Sequence, residues 1–320
     1  MSGKHALAYL DVAKALAIIA VVWGHIATPA GNFLFAWHMP FFFFIGGFFI
    51  RPQDAPRTFA LRNLERLGIP YLVFGTIGIA TEIAKCVALD RPVGALVDYA
   101  TGLLFWMDYS HMTGYHHILW FLPALLATRL FVFMLARHPR HILVSTGLVA
   151  ALATGGLMLP SQMPFALNQI LIALPWTWVG YLCFNHPALR FTGHRMNYLV
   201  AAATVVSVYA YVGIPTLNLA SSELPSPLNN YVFATFFSIL LISACSLVPF
   251  SGIPNAVLDW GTNTLLIMVA HPYTNNIAHL VVEKWLGGAW YFKLALSVLL
   301  LHAILQLKLR MSHLLPFRYL

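Results

Sequence analysis

The sequence predicts an all-α integral membrane protein, a bundle of about ten transmembrane helices with both termini in the cytoplasm. Hydrophobic residues make up 60% of the 320 residues, charged residues only 9%, and the mean hydropathy is +0.76. This composition excludes a water-soluble globular surface, and no polar block is long enough to form a separate soluble domain. Since one span needs roughly 20 residues, we expect residues 1–320 to form a single transmembrane domain.

Ten apolar runs define the predicted spans. They cover residues 7–27, 33–50, 68–88, 116–136, 142–159, 165–184, 197–214, 231–250, 262–280 and 290–308. The first run lacks a small-residue cleavage site and carries ionisable groups, so we expect a retained span and not a removed signal peptide. The longest connection, 89–115, includes an apolar stretch at 93–106 that is suited to the membrane interface.

The basic residues predict the orientation. With the N-terminus inside, twelve of the 18 Lys and Arg residues fall on the cytoplasmic side and four on the outer side, while Lys14 and Arg129 lie within spans. Lys and Arg resist translocation, so this asymmetry favours ten spans with both termini cytoplasmic. A net charge of +8 is typical of such a topology and of contact with anionic membrane lipids, and we expect no binding to nucleic acid.

Three ionisable residues of the first span share one helical face. Lys14 and His25 are eleven residues apart, which on a helix is only about 20° beyond three full turns and a rise of roughly 16 Å. Asp11 precedes Lys14 by three residues and is placed to pair with it. Such groups normally face a bundle interior or a wet cavity, so the stripe predicts a cavity. The alternative is that Asp11 and Lys14 extend to the headgroups and that His25 is an interfacial histidine.

Other histidines lie in the second, fourth and ninth predicted spans: His38, His116, His117 and His271. They are expected toward the outer side or near the middle of the membrane, where they would line one cavity if their helices are neighbours. Imidazole is a common zinc ligand. Because the chain has no HExxH pair and no acidic residue at ligand spacing, we expect no metal site.

The segment RPQDAPRTFALRNLERLGIPY places four arginines before the third span. The positive-inside rule explains them without any ligand. The alternative is a pocket for a phosphorylated cytosolic ligand, because the guanidinium fork matches phosphate oxygens. Under that hypothesis the binding residues are Arg57, Arg62 and Arg66.

Five segments, in order, resemble the acyltransferase 3 family of integral membrane acyltransferases. DVAKALAIIAVVWGHI resembles its first-span signature, in which a basic residue precedes a histidine by eleven positions. The later segments that resemble its patterns are HMPFFFFIGGFF, RLGIPYLVFG, HILWFLPALL and GTNTLLIMVAHPY. The resemblance extends from about residue 8 to residue 275 and is greatest for the fucose 4-O-acetylase-related branch. Two departures are that Lys14 stands where many relatives have Arg, and that Arg62 and Arg66 are spaced by four.

The resemblance implies acyl transfer from a cytosolic acyl-CoA, acetyl-CoA above all, to a sugar hydroxyl. The acceptor would be a lipid-linked or surface glycan, such as an exopolysaccharide or lipopolysaccharide, at the bacterial cytoplasmic membrane. A sugar hydroxyl is a poor nucleophile, so a histidine general base is expected, and His25 is the candidate. Lys14 and Asp11 would order the cytoplasmic end of the cavity or contact the donor, with the three arginines near the coenzyme phosphates.

The remaining expectations concern substrate, partners and rival functions. The candidate substrate-binding residues are His116, His117, Trp120, Asn263 and His271, with Trp120 offering either a sugar-stacking or a helix-packing surface. Membrane lipids and glycan-assembly enzymes are the expected partners besides acyl-CoA and the glycan. The rival functions are a transporter or flippase for a glycan or a small anionic solute, in which the stripe would be a substrate path, and a structural membrane subunit.

Overall fold

The computed structural model describes residues 8–112, 114–138, 141–185, 194–249 and 252–311. Regular structure within these ranges is entirely helical, and the one β-type pairing there is an isolated bridge between Asn218 and Glu223. The all-α prediction is therefore confirmed. The helices are α1 (Ala8–Gly24), α2 (Gly31–Phe35), α3 (His38–Phe48), α4 (Pro56–Asn63), α5 (Ile69–Ala88), α6 (Leu96–Thr101), α7 (Phe121–Ala136), α8 (Ile142–Met158), α9 (Leu167–Asn185), α10 (His194–Val212), α11 (Pro227–Ser246), α12 (Asn255–Thr262), α13 (Thr264–Trp285) and α14 (Trp290–Arg310).

Each of the ten predicted spans overlaps a helix, and five helical segments of the described chain are long and apolar enough to cross a membrane. These five are Pro56–Ala88, Gly114–Ala136, Pro164–Asn185, Pro227–Ser246 and Trp290–Arg310. A shorter apolar helix, Leu96–Trp106, occupies the stretch that the sequence favours for the interface. The ten-span bundle and the side on which the termini lie remain predictions.

Five predicted spans depart from a continuous α-helix, among them the sixth, which begins with a 3-10 helix at Pro164–Ala166. The second is interrupted between α2 and α3, and the ninth between α12 and α13 at Asn263. The third begins with a π-helical turn at Leu64–Gly68, and the fourth with a 3-10 helix at Gly114–Trp120. In three of these spans a proline lies in the first turn of the helix that follows, where its missing N–H is tolerated. These prolines are Pro40 in α3, Pro70 in α5 and Pro123 in α7.

Helix α1 lies inside the bundle and packs against α3, α11, α12, α13 and α14. Its buried side is rich in small residues such as Ala13 and Ala17, which let neighbouring backbones approach. Leu16, on another side, is 45% exposed and faces outward. This packing places Asp11 and Lys14, whose side chains are partly buried, among neighbouring helices.

The approach of α9 to α3 depends on a glycine. A Cβ atom at Gly180 would lie 1.9 Å from the carbonyl oxygen of Phe44, so no side chain fits there without separating the two helices. Close packing of this kind holds membrane helices together in the absence of a hydrophobic driving force between them. It also fixes the position of α3, which carries His38 at its first turn.

Candidate active site

Cavities lie at both ends of α1. Two of them meet at His25: the histidine cavity, of about 150 Å³, and the lateral cavity, of about 470 Å³, share His25, His117 and Ile118 as lining residues. Two others meet at Lys14: the apolar cavity, of about 170 Å³, and the basic cavity, of about 350 Å³, which share Lys14 and Arg129. The site therefore has two ends, with one ionisable residue of α1 at each.

One face of α1 connects the two ends. Lys14 and Ile18 line the apolar cavity, Val21 lines the histidine cavity, and His25 lines both outer cavities. Met268 of α13 lines the apolar cavity and the histidine cavity, so the two come together at this residue. Separate cavities therefore border this face near Lys14 and near His25, while Ile18 and Val21 between them are buried.

Lys14 is held at its end of α1 by an acidic partner. Its Nζ atom lies 2.7 Å from Oδ1 of Asp11, the pairing that the three-residue spacing predicts. The backbone at Asp11 is in turn fixed by α12, since a Cβ atom at Gly261 would lie 1.9 Å from the Asp11 carbonyl oxygen. Asp11 thus orients Lys14 between the basic and apolar cavities.

The basic cavity brings together two of the three predicted phosphate-binding arginines. Arg62 and Arg66 line it, and Arg62 also forms an ion pair of 3.1 Å with Asp54. Arg57 is exposed at the start of α4 and lines none of the four cavities. The cavity also includes Arg129, which the sequence marks as an ionisable residue within a span but which we did not predict as a site residue.

His25 belongs to a cluster of aromatic rings. Its ring centroid lies 5.0 Å from that of His271 and 5.5 Å from that of Phe35. The His25 side chain is exposed, whereas His38 and His271 are buried beside it. Of these three rings, that of His25 is therefore the most accessible from the two cavities.

The histidines around His25 have defined hydrogen-bond roles. Nδ1 of His271 lies 2.7 Å from the carbonyl oxygen of Met268, and Nδ1 of His38 lies 2.5 Å from that of Leu34. A carbonyl oxygen only accepts, so each Nδ1 donates, and in the neutral ring Nε2 is left as an acceptor. Nε2 of both rings is buried and lacks a hydrogen-bond partner among the described residues. These acceptors are suited to hydroxyl groups of a substrate.

His117 follows the same pattern, because its Nδ1 donates to the carbonyl oxygen of Gly114. The 3-10 helix that begins at Gly114 thus sets the ring beside His25. Among the described residues, no three His, Cys, Asp or Glu side chains are grouped so as to hold a metal ion.

The end of α1 beside His25 is anchored by Asn275, which sequence reasoning missed. Nδ2 of Asn275 donates to the carbonyl oxygen of Val22 over 3.1 Å, and its Oδ1 accepts from Ser297 over 2.6 Å. Carbonyls in the last turn of a helix lack intrahelical partners, so this bond completes the end of α1. A polar residue within the ninth predicted span was the available signal.

Of three predicted substrate-binding residues, Trp120 lines a cavity, whereas His116 and Asn263 do not. Trp120 lines the histidine cavity and is also buried against the rings of Phe43 and Phe121, so both roles considered for it are compatible with its position. His116 packs against α5, where a Cβ atom at Gly78 would lie 2.4 Å from its own Cβ. Asn263 accepts a 2.5 Å hydrogen bond from Lys308. Neither His116 nor Asn263 lines any of the four cavities.

The lateral cavity contains a charged pair that the sequence did not reveal. Lys293 of α14 donates a 2.5 Å hydrogen bond to Glu283 of α13, and both line this cavity together with His279. The pair is separated by ten residues and joins two helices. Its partners are therefore adjacent only in the folded chain.

Comparison with known proteins adds a family assignment to this geometry. No curated protein and no solved structure matches the chain significantly. The family model described as an acyltransferase domain, that of the acyltransferase 3 family, matches residues 7–306, nearly the whole chain. Together with the apolar helices, this match indicates a multi-pass membrane protein and points to acyltransferase activity. The chain belongs to the acyltransferase 3 family.

Proposed function

We propose that this protein is a membrane-bound O-acetyltransferase that moves an acetyl group from cytosolic acetyl-CoA to a sugar hydroxyl of a lipid-linked or surface glycan. The observation that carries the proposal is the arrangement of α1, in which Lys14 lines cavities at one end and His25 lines cavities at the other. The resemblance to the fucose 4-O-acetylase-related branch supports a sugar acceptor, and its setting would be the bacterial cytoplasmic membrane.

The donor is assigned to the Lys14 end because of its charge. The basic cavity gathers Lys14, Arg62 and Arg66, and such cations match the phosphate groups of a coenzyme. The apolar cavity shares Lys14 and Arg129 with it, extends to Met268 and is mostly apolar in lining, which suits an acyl-thioester arm. The predicted orientation places this end on the cytosolic side, where acyl-CoA is available.

The acceptor is assigned to the His25 end because of its hydrogen-bonding groups. His25 would remove the hydroxyl proton as the oxygen attacks the thioester carbonyl carbon. The C–S bond then breaks, the coenzyme leaves as a thiolate that takes up a proton, and the acetyl ester remains on the sugar. Nε2 of His271 and of His38 would accept hydrogen bonds from hydroxyl groups and orient the sugar.

The direct test uses purified protein in lipid nanodiscs with radiolabelled acetyl-CoA and a lipid-linked oligosaccharide. We expect label on the glycan in an alkali-labile ester, and none with the His25→Ala variant. Glycan or donor crossing a proteoliposome membrane without acetylation would instead establish a transporter or flippase. Surface glycan from a deletion strain should lack one acetyl mass increment, and an unchanged glycan mass would contradict the proposed acceptor class.

A further inference from the structure

Arg129 has no role in the reaction described above, although it lies on α7 in the middle of a predicted span. It lines both cavities of the Lys14 end: the basic cavity, with Arg62 and Arg66, and the apolar cavity, with Met268. Arg66 is exposed, and of the two cavities it lines only the basic one. Arg129 and Lys14 are thus the two cations at the boundary between the charged and the apolar part of this end, and Lys14 is already paired with Asp11.

The charge of Arg129 lacks a protein partner. Its Nε atom is buried without a hydrogen bond, and no described carboxylate forms an ion pair with its guanidinium. Two carboxylates pair with other cations that line the basic cavity, Asp11 with Lys14 and Asp54 with Arg62. Its contact is with the ring of Phe59, whose centroid lies 6.0 Å from the guanidinium carbon.

A cation taken out of water without a counter-charge is unfavourable. Intramembrane ionisable residues in such a position commonly mark a ligand or ion path. A bound anion would supply the missing charge, and a phosphate group matches the planar guanidinium fork. The phosphate must be part of a larger ligand, because Arg129 also borders a cavity with an apolar lining.

We propose that Arg129 binds the phosphate group that is bonded directly to the pantetheine arm of the coenzyme. This inference rests on the proposed function, which supplies the ligand. If the phosphates occupy the basic cavity and the arm occupies the apolar cavity, the phosphate at the boundary is the one attached to the arm. The 3′-phosphate on the ribose then lies farther out, toward exposed Arg66.

The test compares pairs of ligands that differ by one phosphate. Phosphopantetheine and pantetheine differ by the arm phosphate, whereas CoA and dephospho-CoA differ by the 3′-phosphate. The wild-type protein should bind phosphopantetheine roughly 10- to 100-fold more tightly than pantetheine, as expected for a charged hydrogen bond. In Arg129→Gln this preference should fall to nearly one, while the preference for CoA over dephospho-CoA stays unchanged.

Two variants control for charge and position. Arg137→Gln removes a cation just past the C-terminal end of α7, where Arg137 donates to the backbone carbonyls of Pro52 and Asp54 and lines neither cavity. Arg66→Gln removes a cation that lines the basic cavity but not the apolar cavity. Both should keep the wild-type preference for phosphopantetheine over pantetheine. Loss of that preference in either control would mean that general charge, and not Arg129, selects the arm phosphate.

Folding is checked by thermal unfolding in the presence and absence of CoA. CoA should raise the unfolding temperature of the wild type more than that of Arg129→Gln. If Arg129→Gln does not fold, Arg129→Lys keeps the charge without the fork, and its preference for phosphopantetheine should be intermediate.

A folded variant with the wild-type preference would assign Arg129 to packing on Phe59. A wild-type protein that binds neither CoA nor phosphopantetheine would refute the proposed donor. A wild-type protein that binds CoA but shows no preference for phosphopantetheine over pantetheine would refute only the assignment of Arg129.

Discussion

Replacing His25 by alanine removes the ring at the junction of the histidine and lateral cavities. Loss of a positioned general base typically lowers turnover by about 10² to 10⁴. The His25 side chain is exposed, has ring contacts with His271 and Phe35, and forms no hydrogen bond within the described chain. The free energy of unfolding should therefore change by about 1 kcal/mol or less. Since Lys14 lies roughly 16 Å away along α1, donor affinity should be unaffected.

The assay separates these quantities in one preparation. Single-turnover transfer from labelled acetyl-CoA gives the chemical step, equilibrium binding of CoA gives the donor affinity, and thermal unfolding gives the stability. His138→Ala is the matched control, because His138 is exposed and lines none of the four cavities, and its turnover should equal that of the wild type. His25→Ala with turnover within threefold of the wild type would refute the assignment and leave His271, 5.0 Å away, as the next base to test.

Three further predictions concern the first helix and its supports. The first is a scan in which single cysteines replace residues along α1 and its C-terminal end. Small aqueous thiol reagents should react faster with cysteines at positions 14, 18, 21 and 25, which line the cavities, than with cysteines at positions 16, 19 and 23. Equal reaction rates at positions 18 and 19 would contradict a cavity along this face. Gly180→Ala should destabilise the protein by about 1–3 kcal/mol in thermal unfolding, because its Cβ would clash with α3. Its control, Gly147→Ala, faces open space and should be neutral or stabilising by up to about 1 kcal/mol. Asn275→Ala should cost about 1–3 kcal/mol, since the Val22 carbonyl and Ser297 hydroxyl lose a partner, whereas exposed Asn276→Ala should change stability by about 0.5 kcal/mol at most. A loss at Asn276 equal to that at Asn275 would show that the bond to α1 carries no stability.

The arrangement along α1 was predictable because helix geometry is local. Residue spacing fixes which side chains share a face, and the cost of burying charge predicts that this face meets a cavity. Lys14, Ile18, Val21 and His25 all line cavities for this reason. The pairing of Lys14 with Asp11 follows from the same spacing.

The other parts of the site depend on contacts between segments that are distant in sequence. Asn275 reaches α1 across 253 residues, and the positions of His116 and Asn263 away from the cavities follow from which helices are neighbours. Apolar runs also conceal interruptions, because a π-turn, a 3-10 helix and a broken helix can all have the hydropathy of a continuous span. Periodicity alone therefore predicted the spans as uniform helices.

These interruptions coincide with the site. Each of the following irregular segments supplies residues that line at least one of the four cavities. His38 and Met39 follow the break between α2 and α3, Leu67 lies in the π-turn, Ile118 lies in the 3-10 helix, and Thr264 follows the break at Asn263. Irregular backbone at membrane depth is tolerated only where protein or a water-filled cavity satisfies its polar groups.

The middle of the path differs in chemistry from its two ends. Between Lys14 and His25, the cavity face of α1 presents only Ile18 and Val21, and Met268 lines the opposing wall. Under the proposed function, transfer requires the hydroxyl oxygen and the thioester carbon to come within about 3–3.5 Å, so the donor arm would extend past the apolar cavity to the ring of His25. Lys14 lies on α1 and His25 directly follows its last residue, so this one helix would fix the spacing between the donor and the acceptor.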